Sequence, residues 1–334
     1  MDFDKPIVTP KDIAVIMILY PFGAVVECEN LGGIPNTTYK VVTEDRVVAV
    51  RVYSHGQSST EHIQLEVEVL QHLVALGFSA PRLLRGTNGQ ILQLWKGYWV
   101  CATDFIPGTT ADRIKISPSL VGDVGRLVAF FQKAMVSFKL DRITEGETLI
   151  EKGVDALRSL HSALEMRGWE MDVRRVRDQC EQASSSFVKH SANLNCNVIH
   201  ADIWPPNVIC TAEKVAAVVD FDDCCYGPTM LDVVVALMEF SMFQSAVVDA
   251  ELAKAFLTGY FRYGGNLSPL EQSLIVNAME MTCAMWLAYN VIQAPTFEEA
   301  DVYLQRLNLL HNDNLRNRLQ NDIDQFINTA RLAV

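Results

Sequence analysis

Between Ser59 and Leu76 the apolar residues Ile63, Val67, Leu70, Leu73 and Val74 recur at helical spacing, which predicts one amphipathic helix. Upstream, Val25 to Val52 has a different texture. It is rich in Val, Thr and Tyr and is broken by Asn30-Leu-Gly-Gly-Ile-Pro-Asn36 and by Glu44-Asp45, a pattern of antiparallel strands. Thr9-Pro10-Lys11-Asp12 supplies a capping hydroxyl, a first-turn proline and an acid at the positive end of a helix. Pro81 to Cys101 returns to short strands around Asn88-Gly89, a strong hairpin signal. Beyond Gly108 amphipathic helical runs are predicted over 119–138, 148–167, 172–190, 230–261, 270–293 and 298–330, with one strand-rich island from Asn197 to Asp222. No internal repeat or low-complexity tract interrupts them. The pattern divides the chain into a small β-rich lobe, residues 1–104, and a larger, mainly helical lobe, residues 105–334, an α+β class.

The chain has 334 residues, 49% hydrophobic and 20% charged, enough to bury an enzyme-sized core. Its 28 basic against 40 acidic residues give a formal charge of −12, which argues against a nucleic-acid partner. The uncharged stretch Ile13 to Val26 is too short for a membrane span and is interrupted by Pro21, and Asp2 and Asp4 are foreign to a signal peptide. A cytoplasmic protein with no membrane partner is expected. Eight cysteines without a C-x-x-C pair read as reduced, mostly packed thiols.

Within the island the chain reads Val198-Ile-His200-Ala-Asp202-Ile-Trp-Pro-Pro-Asn207, then Ala216-Ala-Val-Val-Asp220-Phe-Asp222. A hairpin turning at Glu213-Lys214 sets Asn207 opposite Asp220; Glu-Lys is not a favoured turn, so a register one residue away stands beside it. An amide oxygen beside a carboxylate at strand ends is a hard-oxygen pair suited to Mg²⁺. Asp202, five residues before Asn207 in a loop held by Pro205-Pro206, is placed to orient an acceptor hydroxyl and take its proton late, and positioning plus charge neutralisation is most of what phosphoryl transfer asks. Asp222 shares the face of Asp220 by period two, and serves the metal or the acceptor. Taken singly, His200 reads equally well as a hydrogen-bonded core histidine, and Asp220 and Asp222 as helix caps. The ordered set H-x-D-x₄-N followed by D-F-D is specific.

With these motifs the sequence resembles the aminoglycoside phosphotransferase/choline kinase family, with homoserine kinase-like and stress-response kinase-like relatives. The resemblance implies a bilobal protein-kinase-like fold and the cofactors ATP and Mg²⁺. It implies Asp202 and His200 in the catalytic motif, Asn207 and Asp220 as metal ligands, and Asp232 as a structural brace of the catalytic loop. The stretch Leu31-Gly-Gly-Ile-Pro-Asn36 resembles the family's phosphate-covering loop, so Gly32, Gly33 and Asn36 are expected at the nucleotide; no P-loop G-K-[ST] is present. Arg51 stands where the family's strand lysine is found, with Glu66 on the following helix as its expected partner. Thr103 and Phe105 mark the hinge that contacts adenine. Gln132 departs from a helix position at which the family often carries histidine.

The implied activity is ATP/Mg²⁺-dependent phosphorylation of a hydroxyl on a small molecule. From His200 to Phe240 there are seven acids and one basic residue, a count that reads equally as general surface acidity or as a field favouring a cationic acceptor: an amino alcohol, hydroxy amino acid or aminoglycoside. Asp222, Asp223 and Trp286 are expected at the substrate; Trp286, Tyr289 and Asn290 read equally as pocket lining or as core. A Ser/Thr protein kinase of the stress-response type and a nucleotide-binding pseudokinase are the alternatives. No G-x-S-x-G or H-E-x-x-H supports a hydrolase.

Overall fold

The Val/Thr/Tyr-rich stretch forms three antiparallel strands, β1 (Val25–Gly32), β2 (Thr37–Thr43) and β3 (Val47–Val52). In this computed structural model the described residues are 7–33, 36–54, 59–139, 173–212, 214–243, 245–293 and 297–332. The expected helix over 148–167 lies outside them. Strict alternation along β2 turns Thr37, Tyr39, Val41 and Thr43 inward, as a half-buried strand requires. With β4 (Leu83–Leu84), β5 (Gln93–Trp95) and β6 (Tyr98–Asp104) the strands make a six-stranded sheet of order β1-β2-β3-β6-β4, with β5 also on β6. Helix α1 (Pro10–Met17) starts at the expected capping hydroxyl of Thr9, with Asp12 closing a capping box, and packs Ile13, Ile16 and Met17 on Val41, Val48, Val50 and Val100. Each such side chain contributes about 1.5–3 kcal/mol on burial.

Helix α2 (Thr60–Ala75) opens on Ser59, whose hydroxyl accepts the His62 N–H, and it buries Ile63, Val67, Leu70 and Leu73 as the periodicity predicts. The hairpin signal at Asn88-Gly89 is a turn, but β4 and β5 pair with β6 rather than with each other. The two-residue hairpin is Lys96-Gly97, at φ 49° and 89°, between Trp95 and Tyr98.

Two compact units divide the chain: Met1–Gly108 with Ala216–Asp222, and Thr109–Val215 with Asp223–Val334. A single cut at residue 104 therefore misses a segment. Ala216–Asp222 belongs with the first unit, where the Val218 N–H donates to Ser79 O at 2.9 Å.

The second unit is built on helices α3 (Pro118–Val136), α4 (Val173–Ser191), α5 (Met230–Ser241), α6 (Ala250–Arg262), α7 (Pro269–Ser273), α8 (Ile275–Gln293), α9 (Phe297–Leu310) and α10 (Asp313–Leu332). Three long runs expected from periodicity are each two helices. Asp249 accepts the N–H groups of Glu251 and Leu252 and starts α6; Ser268 and Glu271 cap α7 reciprocally; Asn312 accepts the Leu315 N–H and opens α10. Helices α3 and α6 cross on glycines: a Cβ on Gly259 would lie 2.0 Å from Gly122 O. Short strands complete the unit, β7 (Thr109–Thr110), β8 (Cys196–Ile199), β9 (Val208–Thr211) and β11 (Cys225–Pro228), together with the start of β10 (Lys214–Val218). All eight cysteines are free and six of them are buried. Among the described residues no helix is long and apolar enough to cross a membrane.

Candidate active site

Strand β8 delivers His200, and the chain then turns sharply at Ala201, a non-glycine residue at φ 67°. Asp232, in the first turn of α5 and 0% exposed, holds that turn: its two carboxylate oxygens accept the N–H groups of His200 (3.0 Å) and Ala201 (2.8 Å). Burial pushes the Asp232 carboxyl up to about 6, against the pull of those two backbone donors. The His200 ring is buried edge-on to Phe131 at 6.2 Å, and its Nδ1 accepts the Asp202 N–H at 3.3 Å. His200 thus supports the loop from beneath, and the group it presents is Asp202.

Pro205-Pro206 fixes a tight turn that ends on Asn207. The Asn207 amide nitrogen donates to Asp202 Oδ2 (2.6 Å) and to Asp202 O (3.1 Å). One carboxylate oxygen of Asp202 is thereby oriented, and the Asn207 amide oxygen keeps its lone pairs. Asp202 lines a cavity of about 430 Å³ together with Trp286, Tyr289 and Asn290, the three residues left open between pocket and core. Trp286 meets Tyr289 edge-to-face at 5.7 Å and stacks on Tyr303 at 6.5 Å. Gln132 donates to Thr229 O (2.8 Å) and accepts the Tyr260 hydroxyl (2.8 Å). One donor and one acceptor are also what a neutral histidine offers, so this departure conserves the bonding capacity of the position.

In the first unit Arg51 is the hub. Its guanidinium reaches Asp220 Oδ1 at 2.8 Å and Asp222 Oδ2 at 2.6 Å, with its side chain 15% exposed. The Asn36 amide nitrogen donates to Asp222 (2.8 Å), while its oxygen accepts the Ser54 N–H (3.0 Å). The His62 ring meets the Asp222 carbonyl, tying α2 to the same segment. Burial, and the neighbouring Asp222, push the Asp220 carboxyl up against the pull of Arg51. Asp222 lies below the ordinary carboxylate range, because Arg51 and the Asn36 amide outweigh its burial.

Three expectations need correction here. The ion pairs of Arg51 run to Asp220 and Asp222, whereas buried Glu66 accepts the Tyr53 hydroxyl at 2.9 Å and acts on Arg51 through its field. Asp220 and Asp222 share no strand face, since β10 ends at Val218 and Asp220 sits at φ 68°. β9 begins at Val208 and β10 ends at Val218, so Asn207 and Asp220 are not ladder partners. Asp222, expected at the substrate, is bound within the first unit. Asp223 lies half-buried in the adjoining turn.

Gly32 and Gly33 follow each other at φ 87° and 112°, and a Cβ on Gly33 would meet Asn36 O at 2.5 Å, so that loop position demands glycine. Thr103 pairs with Ala49 and Leu83 in the sheet, and Phe105 follows β6 with Lys40 over its ring at 5.3 Å. The residues that sequence reasoning missed are Tyr53, His62, Glu239, Tyr303 and Arg306. The signal for Arg306 was a charge within the apolar stripe Tyr303, Leu307, Leu310; for Glu239 it was an acid in an otherwise apolar helix.

The profile of the phosphotransferase enzyme family matches residues 28–265, and the chain belongs to that family. A homoserine kinase of Paramagnetospirillum magneticum is 24% identical over 253 residues, covering 73% of this chain and 74% of that protein. One from Granulibacter bethesdensis is 21% identical, covering 76% and 77%. Among solved structures, an amicoumacin kinase in complex with AMP-PNP and Ca²⁺ superposes with a TM-score of 0.71 at 13% identity, covering 90% of this chain and 92% of that one. A microcompartment-associated aminopropanol kinase gives 0.67 at 16% identity, covering 94% and 98%. The fold is protein-kinase-like.

Proposed function

We propose that this phosphotransferase moves the γ-phosphoryl group of ATP to a hydroxyl of a small cationic molecule, yielding ADP, a phosphomonoester and a proton. The observation that carries the reading is Asp202: a carboxylate oriented by Asn207 and by the braced turn at Ala201, opening on a cavity sized for a small molecule. Asp202 orients the acceptor hydroxyl and receives its proton late in the transfer. Trp286 and Tyr289 line this cavity with aromatic rings, to which a cationic group is attracted. Relatives named as kinases of homoserine, amicoumacin and aminopropanol support a small hydroxyl acceptor.

In this reading Arg51, Gly32, Gly33 and Asn36 serve the nucleotide, and Thr103 and Phe105 flank its base. Asn207 and Asp220 hold Mg²⁺. The donor chemistry fits: the Asn207 amide oxygen keeps its lone pairs, and Asp220 is a hard-oxygen donor whose carboxyl is pushed up by burial and by Asp222, a penalty that a bound cation would relieve. When bound, Mg²⁺ supplies neutralisation of phosphate charge. A cytoplasmic site of action goes with the eight free thiols.

The test is ADP release from Mg·ATP across amino alcohols, hydroxy amino acids, aminoglycosides and a protein substrate. Turnover with a small cationic alcohol is expected, with Asp202→Asn lowering kcat by roughly a thousandfold while ATP still binds. Turnover with the protein substrate alone, or an unchanged rate in Asp202→Asn, refutes the reading.

A further inference from the structure

Rings make up much of the wall of the cavity on which Asp202 opens. Trp204 comes to it from the catalytic loop, Phe243 from just past α5, Trp286 and Tyr289 from α8, and Tyr303 from α9. All five are half-buried. A core closes over its aromatic side chains, whereas these leave carbon uncovered around one space of about 430 Å³. A buried charge pair holds part of this wall in place. Glu239 on α5 and Arg306 on α9 meet at 2.8 Å, with side chains 5% and 1% exposed. Arg306 also donates from Nε to Ser245 O at 3.0 Å and from a terminal nitrogen to Met242 O, the carbonyls that follow α5. Its guanidinium lies over the Tyr303 ring at 5.3 Å, Tyr303 hydrogen-bonds Glu239, and the Tyr303 ring in turn stacks on Trp286 at 6.5 Å.

Size and lining together separate two kinds of acceptor. A space of this volume, walled by rings, is of the class that encloses ligands larger than the smallest amino alcohols. Ethanolamine or serine would fill a minor part of it and leave water against carbon. An acceptor with a ring of its own would displace that water, and about 100 Å² of apolar surface removed from solvent corresponds to about a hundredfold in affinity. Because Arg306 and Glu239 hold Tyr303, and Tyr303 supports Trp286, before any ligand arrives, little of that gain is lost to ordering side chains. We infer that the acceptor is an amino alcohol whose carbon skeleton carries a ring or an apolar body of similar size, seated against Trp286 and Tyr303 with its hydroxyl at Asp202. The inference rests on the kinase reading above and deepens it, beyond what the names of the homoserine kinases that this sequence resembles would suggest.

Alaninol and phenylalaninol provide the test, since they are the same primary amino alcohol but for one phenyl ring. With the whole chain and Mg·ATP, kcat/KM is expected to be about a hundredfold higher for phenylalaninol. Trp286→Ala removes one side of the seat, and the ratio should fall by at least about tenfold. A native ratio near one, a preference for alaninol, or a ratio that Trp286→Ala leaves unchanged overturns the inference. So does turnover with neither of the two; ADP release with ethanolamine, homoserine or an aminoglycoside in the same plate then leaves the kinase reading standing, whereas silence with every acceptor removes that reading too. Should Trp286→Ala fail to fold, the matched pair on the native chain decides.

Discussion

Replacing Asp232 with asparagine tests how the catalytic turn is held. The carboxyl ionises at about 6 in the folded chain against an ordinary value of 3.8, because burial outweighs its two backbone donors. Between those values the folded state keeps a proton that the unfolded state has released, so stability falls as pH rises through the interval. The interval amounts to about 3 kcal/mol, with no discount for solvent since the residue is 0% exposed. Asparagine does not titrate. Urea unfolding of both proteins should therefore show the native advantage over Asp232→Asn shrinking by about 3 kcal/mol from about pH 4 to about pH 7. The amide also turns one donor toward a backbone N–H that lost its acceptor, at about 1–3 kcal/mol, and releases Ala201 from its left-handed conformation. Asp202 then loses its aim, and kcat should fall about a hundredfold with KM for ATP little changed. A native-minus-variant difference that is flat with pH, or a kcat within twofold of native, refutes the argument.

Two further substitutions probe other parts of the chain. Arg51→Lys replaces a fork spanning Asp220 and Asp222 with a point charge that reaches one of them; KM for Mg·ATP should rise about tenfold, and steady-state kinetics at varied ATP will show whether it does. Gly259→Ala forces a methyl into Gly122 O, so α3 and α6 must part; a loss of about 2 kcal/mol or more and a Tm lower by about 5 °C are expected in a thermal melt, and an unchanged Tm would contradict the crossing.

The parts of the site that were legible in the sequence are those whose chemistry is local in the chain. His200, Asp202 and Asn207 lie within eight residues, so the proline-fixed turn brings Asn207 onto Asp202, while the aim of the segment also depends on Asp232 some thirty residues away. Trp286, Tyr289 and Asn290 fall on one side of one helix by the helical period, but the period reads equally as pocket lining or core, and only the cavity distinguishes the two. Illegible features depend on one residue's backbone conformation or on partners far along the chain. The expected pairing of Asn207 with Asp220 fails because β9 starts only at Val208 and β10 ends at Val218, two residues before Asp220 takes the left-handed region at φ 68°, a conformation that propensity assigns to glycine or asparagine. The expected helix over 230–261 broke because Asp249 satisfies two N–H groups at once, and apolar periodicity on both sides of a cap is blind to it. Glu66 was assigned to Arg51 from resemblance, yet the nearer acids at residues 220 and 222 compete for the same guanidinium across a separation of about 170 positions, and Tyr53, one turn of strand beyond Arg51, supplies Glu66 with a neutral donor instead. Glu239 and Arg306 are the sharpest instance. Each looks like an error in an apolar pattern, and the two errors cancel only because α5 and α9 bring them within 2.8 Å. A charge that breaks the hydrophobic period of a buried helix is therefore better read as half of a pair whose other half breaks the period elsewhere.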